Sequence, residues 1–162
     1  MINGTLRRPM RVYADTSVFG GTCDTEFEEA SRAFFDLVRA SKFRLVVSAV
    51  VLDELVTAPD AVRSFFSEML GYIEVLEPSD EADALQEAYV DAKIVSSSHK
   101  RDAFHVASAT VSGCVMIVSW NFRHIVNYRR VPLYNAVNVV AGYTPITICS
   151  PLEVVSDEEE SV

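Results

Sequence analysis

The chain has 162 residues, the length of a single domain, and with 49% hydrophobic residues it can bury one substantial core. Its net charge of -9 opposes long-range attraction to a polyanion. Five of the 23 acids, Glu153, Asp157, Glu158, Glu159 and Glu160, stand at the carboxyl end, however, and leave 18 acids against 14 bases elsewhere.

Residues 1–9 carry Arg7 and Arg8 with no secretory apolar segment behind them, and are expected to be a flexible extension; residues 153–162 are expected to be an acidic, disordered tail. No apolar run approaches the length of a bilayer span, which argues against a membrane partner. Between the two ends, residues 10–152 alternate β-rich runs with amphipathic stretches, the pattern of one parallel α/β domain.

"RVYA" (residues 11–14) is the first strand. It stops on Asp15, followed by the hydroxyls of Thr16 and Ser17 and by Gly20 and Gly21, which are expected to loosen the chain. Residues 26–40 read as a helix, with Phe27, Ala30, Phe34, Leu37 and Val38 at helical spacing. Phe43–Ser48 is a second strand, and Ser48 is placed to cap a helix "AVVLDELV" that ends before Pro59. A helix over residues 60–71 and a short strand "IEVL" follow. Ser79 can cap the helix over residues 80–94, Ser98 the next one, and Gly113 stops it. "VMIVSW" is a wholly apolar fourth strand, residues 121–143 read as mainly helical with a break near Pro132, and "ITIC" is the fifth strand. Right-handed crossovers turn this order into a three-layer α/β/α sandwich around a central parallel five-stranded sheet, in which function gathers beyond the carboxyl ends of the strands. Cys23, Cys114 and Cys149 lie far apart without metal-ligand spacing, and read as reduced core or near-core residues of a cytoplasmic protein.

Polar residues at those strand ends attract attention. Asp15 ends the first strand, and Asn121 ends the fourth, just after Ser119 and Trp120. Asp53 and Glu54 point about 100° apart on their helix. Glu54 shares the apolar side with Val50, Val51 and Ala58 and so faces inward, whereas Asp53 aligns with Ala49 and Thr57. Asp102 occupies an early turn beside the inward stripe of Ala103, Val106, Ala107 and Thr110. Singly, each carboxylate has an ordinary explanation as a helix cap or as the partner of a nearby base. Together, three acids from separate segments can converge on one crevice. Two carboxylates about 4 Å apart repel by roughly 4 kcal/mol at an effective dielectric near 20, so three must be protonated, paired or joined by a cation. Oxygen-only ligands favour Mg²⁺ or Mn²⁺ over zinc, and a hard cation suits phosphoryl chemistry.

The segments "VYADTSVF", "SAVVLDELV", "RDAFHVASAT" and "IVSWNFRHI", in this order and spacing, resemble the PIN domain, a nuclease fold best known from the VapC toxins of bacterial toxin–antitoxin pairs. The resemblance covers residues 10–151 or so and implies a Mg²⁺- or Mn²⁺-dependent endoribonuclease that cleaves RNA with a metal-activated water. It implies that Asp15, Glu54 and Asp102 are the catalytic, metal-holding acids. Thr16 matches the hydroxyl beside the first acid, and Ser119 the hydroxyl that precedes the last position. Where many members carry a fourth Asp, this sequence has Asn121. Its amide oxygen can hold a metal or a metal-bound water without adding charge, so one tightly held ion is expected. An antitoxin protein is the implied partner. An exposed apolar patch on the helices after the second strand would serve it or a homodimer.

Lys100, Arg101 and Arg123, with Arg129 and Arg130, stand close in sequence to the acids and either contact an RNA backbone or form a solvated face. His105 lies one turn from Asp102, where a hydrogen-bonding role is favoured over that of a general base. Trp120 either packs under the fourth strand, the preferred reading, or stacks on a base. A reading from a different class is a catalytically weak or inactive PIN domain that serves as a protein- or RNA-binding module. The acidic balance and Asn121 favour that reading, and three intact acids favour the enzyme.

Overall fold

The computed structural model describes residues 8–160. Most of the expected amino-terminal extension, residues 1–7, lies outside the described residues. Short apolar, largely β-branched runs form five strands: β1 (Met10–Ala14), β2 (Phe43–Ser48), β3 (Ile73–Leu76), β4 (Met116–Val118) and β5 (Thr147–Cys149). All pairs are parallel, in the order β3-β2-β1-β4-β5, with Val12 beside Leu45 on one side and Met116 on the other. The chain thus steps outward from β1 to β3, crosses back to β4 and continues outward to β5. Its direction of travel reverses between β1 and β4.

Eight helices flank the sheet among the described residues: α1 (Thr16–Gly21), α2 (Glu28–Arg39), α3 (Ala49–Leu55), α4 (Asp60–Met69), α5 (Asp80–Asp91), α6 (Lys100–Val111), α7 (Val131–Val140) and α8 (Pro151–Glu160). Right-handed crossovers place successive connections on opposite faces once the direction reverses. Accordingly α2 packs against α8 and α1, and α1 against α4, while α5 packs against α6 and α7. The result is the expected three-layer α/β/α sandwich. Val12, Tyr13, Ala14, Leu45, Val46, Ile117 and Val118 are fully buried, as a parallel sheet covered on both faces requires.

Several elements depart from the sequence expectations for identifiable reasons. Gly20 and Gly21 belong to α1 and do not loosen the chain. Gly21 is required by close approach, since a Cβ there would collide with the Ser31 hydroxyl and lie 2.8 Å from Trp120 Nε1. The expected helix over residues 121–130 is a series of turns, because asparagine side chains take backbone partners. Asn121 Oδ1 accepts from His124 N at 2.9 Å and Asn127 Oδ1 from Arg129 N at 3.1 Å. Pro132 therefore opens α7 and breaks no helix. A 3-10 turn, Ser97–His99, precedes α6 and puts His99, not Ser98, at its N-cap. Ser79 caps α5 as expected, accepting from Ala82 N at 3.1 Å, and Gly113 ends α6 with φ at +78°.

The acidic end is ordered through Glu160 and forms α8, with Pro151 and Val154 buried. Ser150, Pro151 and Glu153 supply its start: Ser150 N donates to Glu153 Oε2 at 2.9 Å and Glu153 N to Ser150 Oγ at 3.4 Å, a reciprocal cap. Cys114 and Cys149 are buried, whereas Cys23 is exposed. Among the described residues no helix is long and apolar enough to cross a membrane.

Candidate active site

In open parallel sheets, a crevice opens above the carboxyl ends of two strands where the chain's direction reverses. Here those strands are β1 and β4, and Asp15 and Ser119 follow them directly. Asp15 remains extended (φ -81°, ψ 176°) and its N–H still donates to Val118 O of β4 at 3.3 Å. Its carboxylate, only 4% exposed, does not cap α1. Instead Ser17 Oγ donates to Oδ1 at 2.5 Å and Ser119 Oγ to Oδ2 at 2.6 Å. The proton direction is fixed from behind. Trp120 N donates to Ser17 Oγ at 2.8 Å and Asn121 N to Ser119 Oγ at 2.9 Å, so each hydroxyl is left to give its single proton to Asp15.

Glu54 comes to the same place from α3. Thr16 Oγ1 donates to Glu54 Oε1 at 3.1 Å, and His105 Nε2 lies 2.8 Å from the same oxygen. Behind His105 the chain of bonds continues into the core, with Nδ1 2.8 Å from Tyr13 OH, which in turn lies 2.8 Å from Ser48 Oγ. This explains why Ser48 precedes α3 without capping it. Glu54 Oε2 makes no hydrogen bond among the described residues, and the side chain is partly exposed. The inward direction expected for Glu54 is observed, and Asp53 instead lies on the surface, 3.8 Å from Arg101.

The two carboxylates have opposite electrostatics. Burial pushes the Asp15 carboxyl above its ordinary range, and the nearby Glu54 charge adds to this, while His105 and the two serine hydroxyls work against it. Burial also works to raise Glu54, but the His105 hydrogen bond and charge, Thr16 and Arg101 outweigh it and hold that carboxyl low.

Asp102 and Asn121 form a neighbouring group. His124 Nδ1 lies 2.8 Å from Asp102 Oδ2, and His124 is tied to Asn121 through its backbone N–H. Its ring lies against that of His99, with centroids 4.2 Å apart. The structure therefore gathers Asp15, Thr16, Glu54 and Ser119 directly, and places Asp102 with Asn121 and His124. Among the described residues no group of three or more His, Cys, Asp or Glu side chains forms a preassembled metal cage. The donors still suit a hard cation that keeps several waters, which needs one or two carboxylates from the protein. Asp15 is a desolvated carboxylate with lone pairs to spare, and Glu54 offers a free oxygen.

Of the expected RNA-contacting bases, Lys100 lies 4.0 Å from Glu87 and Arg101 pairs with Asp53, while Arg123 is exposed. Trp120 packs in the core, stacked on Phe27 at 4.3 Å and donating from Nε1 to Ser31 Oγ at 2.8 Å. From the sequence, Ser17 has no role beyond that of a turn hydroxyl, Ser48 that of a helix cap and Tyr13 that of a strand residue, whereas the structure ties Ser17 to Asp15, Tyr13 to His105 and Ser48 to Tyr13. The adjacent Thr16–Ser17 pair was the available signal, because a helix start aims only one of two neighbouring side chains back at the preceding strand end. No protein-family model and no curated protein matches this chain.

Proposed function

We propose that this chain is a metal-dependent endoribonuclease of PIN type that hydrolyses RNA phosphodiester bonds in the cytoplasm. The observation that carries the reading is Asp15. It is a buried carboxylate at the reversal point of a parallel sheet, held by two directed hydroxyls, beside a second carboxylate with an open oxygen. Burying a carboxylate is costly unless a cation or strong donors compensate. A divalent cation, when bound, neutralises phosphate charge and acidifies water. Asp15 and Glu54 would hold it, Ser17 and Ser119 orient Asp15, and Thr16 and His105 orient Glu54. Asp102 and Asn121, joined through His124, would assist by holding a metal-bound water. The ordered resemblance of four segments to PIN domains supports the assignment, and the role of toxin, with an antitoxin partner and a homodimeric state, extends it by analogy.

A second reading has its own observation. His105 satisfies Glu54 and His124 satisfies Asp102 within the fold, as expected of a catalytically weak domain that binds RNA or protein. The deciding experiment is cleavage of a structured RNA. The enzyme reading requires activity with Mg²⁺ or Mn²⁺ that is lost with EDTA and with Asp15→Asn; RNA left intact under every metal condition would remove it.

A further inference from the structure

A cavity of about 490 Å³, which shares His124 with the Asp102 group, has a charged lining that is wholly basic. Lys93, Arg130, His99 and His124 line it together with the hydroxyls of Ser96 and Ser97. In a chain of net charge -9 such a lining is unexpected from composition. Arg11, Arg32, Arg39, Arg63 and Arg101 are committed to carboxylates. Lys93 and Arg130 form no ion pair among the described residues.

The cationic groups are also held in place. Arg130 Nε donates to Ile94 O at 3.0 Å, which fixes the guanidinium at the wall and leaves its two terminal nitrogens facing no other protein acceptor among the described residues. His99 Nδ1 lies 3.0 Å from Ser96 Oγ and 3.2 Å from Ser98 Oγ, which are 2.9 Å from each other; with one hydroxyl donating to Nδ1, Nε2–H is free to point outward. Asp102 engages the Nδ1 edge of His124 and is absent from the lining. Lys93, two residues beyond α5, has φ at +60°, a left-handed conformation that favours glycine or asparagine.

We infer that this pocket is an anion site that receives a phosphate group of an RNA strand. Fixed guanidinium, ammonium, imidazole N–H and hydroxyl donors are the set that recognises phosphate oxygens. The inference deepens the nuclease reading, because the pocket shares His124 with the Asp102 group and would anchor the strand beside it.

The test uses the full chain in EDTA, where metal-dependent cleavage does not interfere, and a fluorescent single-stranded RNA oligonucleotide. Lys93→Gly removes the charge and relieves the left-handed backbone, so weakened binding cannot be blamed on misfolding. Affinity is expected to fall roughly three- to tenfold at low salt, with the salt-dependence slope reduced by about one, and Lys93→Arg is expected to restore it. Inorganic phosphate is expected to shift the His99 and His124 ring resonances in the wild type and not in Lys93→Gly. Equal binding of 5′-phosphorylated and 5′-hydroxyl oligonucleotides would assign the pocket to a backbone phosphate, and preference for the former to a terminal one. Unchanged affinity and salt slope in both Lys93→Gly and Arg130→Gln would overturn the inference. If the protein cleaves RNA while those variants bind normally, the pocket fails and the nuclease reading stands; Lys93-dependent binding without metal-dependent cleavage gives the reverse.

Discussion

Ser119 donates to Asp15 at 2.6 Å across the boundary between β4 and β1, the two neighbouring strands between which the sheet reverses its order. One hydrogen bond thus joins the chain at positions 104 residues apart and aims a carboxylate at the crevice above the sheet. With Ser17 on its other oxygen, Asp15 is held rigidly enough to act as a ligand and is buried deeply enough to be an electrostatic burden without one.

That burden has a sign. Because burial raises the Asp15 carboxyl above its ordinary value of 3.8, the folded protein holds this proton more tightly than the unfolded chain. The contribution of Asp15 to stability therefore falls as pH rises through the window from 3.8 to the higher folded value, and is least favourable at neutral pH. Asp15→Asn keeps both serines adjacent: the amide oxygen accepts from one hydroxyl, and the amide nitrogen donates to the other, whose proton turns toward the neighbouring serine Oγ 3.4 Å away. The metal-free variant is expected to be more stable near neutral pH by about 1–2 kcal/mol, roughly 3–6 °C in Tm. Thermal unfolding in EDTA checks this, and a lower Tm would contradict it.

Glu54 behaves oppositely. Its carboxyl is held below the ordinary value of 4.5, so its stabilising contribution is present above that value and is lost as pH falls through the lower folded one. His105→Ala removes the principal partner and leaves Tyr13 OH and Glu54 Oε1 each short of a contact. The substitution is expected to cost about 2–4 kcal/mol near neutral pH. It should also flatten the loss of stability below pH 4.5. Urea unfolding over a pH series measures both effects, and a wild-type slope in the variant would count against the His105–Glu54 bond.

Two adjacent glycines are expected to differ. A Cβ on Gly20 meets nothing within 4 Å, and within α1 Gly20→Ala should stabilise by about 0.5–1 kcal/mol. Gly21→Ala drives a methyl against Ser31 and Trp120 and breaks the bond between them, at a cost of about 1–3 kcal/mol. Denaturation followed by Trp120 fluorescence separates the two, and equal effects would contradict the packing described for α1.

Asn121→Asp retains the acceptor for His124 N, so the turn survives while a charge is added beside the crevice. Mn²⁺ affinity is expected to rise roughly tenfold with the extra carboxylate. Unchanged affinity by calorimetry would show that this position does not contribute to ion binding.

The β-sheet was legible because each strand is a compact apolar run, and Glu54 was legible because helical spacing alone sets its direction apart from that of Asp53. What the sequence concealed is mostly side-chain competition for backbone partners. Asn121 and Asn127 dismantle a segment whose apolar spacing suits a helix, and the glycines of α1 read as flexibility when they serve contact with Trp120. The Ser150–Glu153 cap was present in the sequence as a serine followed three residues later by a glutamate, but the acidic composition beyond it pointed to disorder. Around the site, the pairing of Glu54 with His105 joins residues 51 positions apart, and no local pattern specifies it.

The central claim is that Asp15 and Glu54 form a cation site despite having partners of their own. Calorimetric titration of Mn²⁺ into the wild-type protein and Asp15→Asn tests it most directly. The account predicts one saturable binding event in the wild type that is abolished in Asp15→Asn. Absence of binding in the wild type, or equal binding in both proteins, would contradict it.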